Sequence, residues 1–135
     1  GMGLGDNTVA ALMTRGMTEI TRLGVALGAN WKTFTGMAGI GDLIVTCTSQ
    51  HSRNYRAGCL IGQGVPAAQA VAQVGTVEGY INSRTAFRLA REKGIDTPII
   101  EQIVNICYHG SDPQESISAL MTRESKHERE VFWTD

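Results

Sequence analysis

The stretch DNTVAALMTRGMTEITRLGVALG, residues 6–28, decides the fold class. Val9, Leu12, Gly16, Ile20, Leu23 and Leu27 recur at steps of three and four, the spacing that lines them along one side of an α-helix. Asp6, Asn7 and Thr8 supply N-cap candidates ahead of them, and Gly28 closes the run, so a helix is expected over 8–27. Ala10, Met13, Met17 and Val25 fall off that stripe, beside Thr14, Arg15 and Glu19. The apolar surface is therefore wider than one stripe, and this helix is expected at the centre of a helical bundle.

The same punctuation continues outward. A short helix is expected around 33–37, after which Gly39 and Gly41 loosen the chain and Asp42 caps a turn running to Thr46. Ser52 is a good N-cap for a helix over 53–63, with Gly64 as its left-handed terminator. Pro66 suits the first position of a helix ending near Gly75. Tyr80, Phe87 and Ala90, with Ala86 and Leu89, mark a helix from Gly79 to Lys93 closed by Gly94. Thr97-Pro98 pairs a cap with a first-turn proline and opens a helix whose Ile99, Ile100, Ile103, Ile106 and Cys107 form an apolar face up to Gly110. Asp112-Pro113, with Glu115 in the capping-box position, starts one through Thr122, and a charged tail follows over 123–135. No alternating strand pattern of useful length is present, so the fold is read as all-α with six or seven helices.

Composition narrows the function classes. With 135 residues, 42% of them hydrophobic and 19% charged, the chain can bury one moderate core. A net charge of −1 supports neither a broad nucleic-acid patch nor a membrane-surface footprint, so a bound anion must be held locally. Cys47, Cys59 and Cys107 are odd in number and form no C-x-x-C pair, which favours reduced thiols and a cytoplasmic setting. The apolar runs are too short to span a bilayer, and residues 1–15 lack the pattern of a signal peptide. Gly1-Met2 reads as a candidate expression remnant.

Two clusters could carry chemistry. Ser52-Arg53-Asn54 at a helix start combines free backbone amides, the positive end of the helix dipole and a guanidinium fork, a combination suited to phosphate. An N-capped surface helix with an ordinary arginine is the plainer reading of the same residues. Asp42 lies between Gly41 and Leu43-Ile44-Val45, which suggests partial burial and a need for a cationic or donor partner; a helix-capping aspartate is the alternative. Thr46, four residues on, shares a helical face with Asp42, although such a threonine is commonly structural. His51, His109 and His127 show no metal-ligand spacing with the cysteines, so no metal site is expected. Gly62-x-Gly64-x-x-Ala67 matches a dinucleotide-binding pattern formally but follows a helix instead of a strand, and is rejected.

The segments GLGDNTVAALMTRGMTEITRLGVALGAN, GMAGIGDLIVTCTSQHSRNYRAG, TVEGY and TPIIEQIV resemble the C-terminal, substrate-binding domain of bacterial NAD(P)-dependent glycerol-3-phosphate dehydrogenases. The resemblance covers about 3–122, and it makes residues 1–122 a helical substrate-binding domain like those of the 6-phosphogluconate dehydrogenase-like superfamily, with 123–135 as a charged tail. It implies hydride transfer between NAD(P)H and dihydroxyacetone phosphate, giving sn-glycerol 3-phosphate for phospholipid synthesis. It also implies that Asp42 stands beside a catalytic lysine, that Thr46 lies near the triose, and that Ser52, Arg53 and Asn54 bind the substrate phosphate, with Arg53 reaching the cofactor. Glu78 matches a glutamate facing the cofactor. Thr76 falls at a neighbouring contact that is apolar in the family, where a backbone contact accommodates either residue.

The family's N-terminal Rossmann domain, the expected partner and main binder of NAD or NADP, has no counterpart in these residues. Its catalytic lysine precedes the Gly-x-Gly-x-Gly-Asp-Asn segment, and Lys32, Lys93 and Lys126 do not match it. The chain is therefore expected to be a substrate-binding half that is inactive alone, with a homodimer among the assemblies the resemblance allows. The competing reading is a free-standing helical binding or dimerisation module without activity.

Overall fold

The computed structural model describes residues 1–123. Among them are seven α-helices and no strand: α1 (Asp6–Ala26), α2 (Asp42–Thr48), α3 (Arg53–Gly62), α4 (Ala67–Val74), α5 (Glu78–Glu92), α6 (Pro98–His109) and α7 (Pro113–Thr122). A 3-10 turn over Trp31–Thr35 and a π turn over Met37–Gly41 join α1 to α2. The all-α expectation holds. The part of the charged tail beyond Arg123 lies outside the described residues.

α1 packs against α6 and also touches α2, α5 and the 3-10 turn, while α6 touches α1, α4, α5 and α7. α6 is thus as much a hub as α1. Only Glu19 and Leu23 of α1 are buried, and Ile20, Val25 and the C-cap residue Leu27 stay exposed, so the wide apolar surface of this helix is only partly covered by the described residues. The core is built mainly from small side chains, with Ala57, Ala70 and Ala90 beside Leu23, Val77, Val104 and Leu120. Small residues allow close helix approach: Gly24 of α1 faces the Phe34 ring, which sits where a Cβ would project.

The terminator glycines behave as expected, with Gly64, Gly94 and Gly110 at φ of 97°, 67° and 70°. Helix starts differ more. α1 begins at Asp6 after Gly5, with no side-chain cap, so Asp6 acts by its charge at the positive end of the dipole. Pro66 is the cap residue of α4, one position before the helix. Asp112 caps α7 as expected, its Oδ1 accepting from Gln114 N at 2.8 Å and Glu115 N at 3.1 Å.

Two helices take their caps from elsewhere. Thr97, expected to cap α6, makes no side-chain cap bond. Instead Glu19, 2% exposed in the middle of α1, accepts from Ile99 N at 2.8 Å and Ile100 N at 3.1 Å. Burial raises the pKa of this carboxyl above its ordinary value, and it outweighs the opposing pull of the two amides and of Arg22. At α5 the cap residue is Val77, whose side chain has no acceptor, and the cap comes from Asn54 of α3.

Candidate functional site

The helix start at Ser52-Arg53-Asn54 forms as the sequence implies. Ser52 sits in extended backbone and its Oγ accepts from Tyr55 N at 3.2 Å, starting α3 at Arg53. Arg53 is exposed and Asn54 half-buried in the first turn, where backbone N–H groups lack intrahelical acceptors. The guanidinium and the dipole end therefore share one place and one sign.

Asn54 joins this segment to the second cluster. Its Oδ1 accepts from Gly79 N at 2.9 Å, across 25 residues of sequence. The start of α5, carrying Glu78 with Thr76 just ahead of it, is thereby tied to the start of α3. Thr76 and Glu78 are both exposed. Behind them Val77 is buried, Tyr80 stacks on Tyr108 of α6 with ring centroids 4.6 Å apart, and the Tyr108 hydroxyl donates to the Tyr80 carbonyl. Arg84, one turn on, lies 5.0 Å from the centre of the Tyr108 ring. The first two turns of α5 are thus anchored on their α6 side.

Asp42 differs from expectation. It is the first residue of α2 and is exposed, not partly buried, and it makes no side-chain cap bond. Its apolar neighbours misled: Ile44 is 46% and Val45 61% exposed. The buried position belongs to Gly39, which packs so closely on the backbone of Phe34 that no Cβ fits. Gly39 and Gly41, expected to loosen the chain, lie instead in the π turn that leads into α2, closed by Gly41 N donating to Gly36 O at 3.3 Å. Thr46, half-buried, follows Asp42 by one helical turn on the same face. α2 packs on α3, but among the described residues no hydrogen bond or ion pair joins Asp42 or Thr46 to Arg53 or Asn54.

A groove of about 830 Å³ between α5 and α6, lined by Ile81, Arg84, Arg88 and His109 among others, contains none of the seven predicted site residues. Of the seven, Glu78 is two residues from the groove's Tyr80 on α5, and Asn54 is tied to the intervening Gly79. Among the described residues no cluster of three or more His, Cys, Asp or Glu side chains could hold a metal, and no helix is long and apolar enough to cross a membrane. What the arrangement offers is a donor-rich edge at the joined starts of α3 and α5, with the positive charge of Arg53 on α3 and the exposed carboxylate of Glu78 on α5, while the exposed Asp42 stands at the start of α2.

The family described as NAD-dependent glycerol-3-phosphate dehydrogenase C-terminus matches residues 1–118, so the match includes Gly1-Met2. A glycerol-3-phosphate dehydrogenase (NAD(P)+) of Desulfitobacterium hafniense (strain Y51) is 56% identical over 131 residues, covering 96% of this chain and 37% of that protein. One from Thermoanaerobacter sp. (strain X514) is 54% identical over 129 residues, 95% of this chain and 39% of its own length. Among solved structures, the glycerol-3-phosphate dehydrogenase of Coxiella burnetii superposes with a TM-score of 0.85 at 40% identity, over 90% of this chain and 38% of that one. The chain thus spans less than two fifths of the length of the relatives it matches.

Proposed function

The chain belongs to the NAD-dependent glycerol-3-phosphate dehydrogenase family, within its C-terminal part, and from that membership we propose that it supplies the substrate half of an enzyme interconverting dihydroxyacetone phosphate and sn-glycerol 3-phosphate. The observation that carries this reading is the bond from Gly79 N–H to Asn54, which brings the phosphate-suited Ser52-Arg53-Asn54 turn together with the Thr76–Glu78 segment. One edge can then meet both a phosphorylated triose and the cofactor beside it.

In this reading Arg53 and the first amides of α3 hold the phosphate, Asn54 donates to it from its Nδ2, and Ser52 keeps the turn in shape by capping Tyr55 N. Asp42 and Thr46 face the triose from α2, Asp42 also orienting a lysine contributed from outside these residues. Glu78 and Arg53 face the nicotinamide cofactor, and Thr76 contacts it through its backbone. NAD(P)H supplies the hydride when bound. The exposure of Arg53 and Glu78 fits a supporting contact to that group, whereas the Gly-rich turn between strand and helix that usually holds the pyrophosphate is not found in these helices. The cofactor's principal site therefore belongs to a partner Rossmann domain, and the enzyme works in the cytoplasm for phospholipid synthesis.

The test uses this chain joined behind the dinucleotide-binding half of the Desulfitobacterium hafniense relative. Arg53→Ala should lower kcat/KM for glycerol 3-phosphate by an amount corresponding to about 1.5–3 kcal/mol, the worth of a charge-assisted bond, with a much smaller effect on glycerol. Arg53→Lys should restore only part, because a point charge lacks the planar fork. Equal losses for glycerol and glycerol 3-phosphate would make Arg53 structural and sink the reading.

A further inference from the structure

Asn54 is held by a glycine whose backbone has no need to be glycine. Gly79 stands in the first turn of α5 and is absent from the positive-φ glycines, so its conformation is open to any residue. In a helix glycine is less favourable than alanine, so its presence here calls for another reason. What it provides is space. A Cβ at Gly79 would stand 2.7 Å from Asn54 Oδ1 and 3.4 Å from its Cγ. The glycine also gives the Asn54 carboxamide its only direct bond among the described residues, from N–H to Oδ1 at 2.9 Å.

That bond determines which way the carboxamide faces. A backbone N–H can be accepted by Oδ1 and not by Nδ2, so the amide is locked with its oxygen on α5 and its two Nδ2 hydrogens left for another acceptor. Asn54 is adjacent to Arg53 at the positive end of α3, so an acceptor carrying negative charge is the partner favoured there.

We propose that Gly79 is a positioning residue for the phosphate of the substrate: it orients the Asn54 carboxamide so that Nδ2 donates to that phosphate beside Arg53. This rests on the function proposed above. It also makes the start of α5, with Glu78, and the phosphate contact parts of one rigid unit. The side chain displaced by bulk at position 79 is the tip of a short, rotatable residue, so the fold survives the substitution and the orientation of Asn54 does not.

The experiment is a double-mutant cycle in the two-domain enzyme. Gly79→Ala should lower kcat/KM for dihydroxyacetone phosphate about tenfold or more, as the loss of one bond to a charged group does, and should act far less on dihydroxyacetone. On an Asn54→Ala background the same Gly79→Ala change should have little further effect, since the group it displaces is gone. A purely structural role for Gly79 would lower activity equally on both backgrounds and both substrates, and that result would overturn the proposal. In the 135-residue chain itself, the Asn54 side-chain NH2 resonances should lose their dispersion in Gly79→Ala while the backbone spectrum remains folded. Unchanged resonances, or an unfolded variant, would also overturn it. Failure of Arg53→Ala to discriminate against phosphate would instead overturn the function on which the proposal rests.

Discussion

Replacing Glu19 by alanine is expected to cost about 2–4 kcal/mol of folding stability, a large share of what a domain of this size possesses. The carboxylate is the acceptor for the first free amides of α6, Ile99 N and Ile100 N. Pro98 ahead of them has no N–H, and the side chain of Thr97 makes no cap bond, so nothing nearby takes over. Each amide left unpaired costs about 1–3 kcal/mol, and the lower part of the combined range applies because water reaches the half-buried Ile99 and Ile100 and because a costly buried charge is removed at the same time. The pH dependence has a definite sign. Desolvation raises the folded carboxyl above 4.5, with Asp96 adding to the rise and Arg22 opposing it, so the native chain binds this proton more tightly than the unfolded one. Stability contributed by Glu19 is then fully present below pH 4.5 and declines as pH rises through the raised value. Urea unfolding of the 135-residue chain followed by far-UV circular dichroism measures both effects. A variant within about 0.5 kcal/mol of wild type, or a gap that widens as pH rises, would refute the reasoning.

At the start of α7 the cap is local, and Asp112→Ala should cost about 1 kcal/mol in the same assay, since only the two amides on Asp112 Oδ1 lose their partner and both are exposed. No measurable change would mean that water replaces the cap. The 135-residue chain alone should show no NAD(P)H turnover with dihydroxyacetone phosphate, because these helices hold neither a pyrophosphate cradle nor a lysine matching the family's catalytic one. Absorbance-detected turnover by the pure chain would refute this.

The difference between Asp112 and Glu19 also marks where sequence reading succeeds. Helices and their glycine terminators are written in neighbouring residues, as are the caps at Ser52 and Asp112, and these emerged as expected. Asp42 was misjudged because Ile44 and Val45 look like a buried run locally, while burial depends on what packs over them, and Gly39 took the interior place. The π turn left no local signature beyond its glycines. The capping role of Glu19 has no local signature at all, because its partners lie 80 and 81 residues away.

The long-range caps also show why the candidate site and the fold are hard to separate. α5 and α6 pack together, and neither start is capped by its own cap residue: α1 supplies Glu19 to one and α3 supplies Asn54 to the other. In the proposed function Asn54 therefore has two tasks at once, one oxygen holding α5 and one nitrogen holding phosphate. A carboxamide can do both because its two ends are a donor and an acceptor. An aspartate could cap α5 equally well but would set a negative charge against the phosphate, and an alanine would do neither. The residue type follows from the geometry of the bond to Gly79 together with the sign of the ligand, and from neither alone.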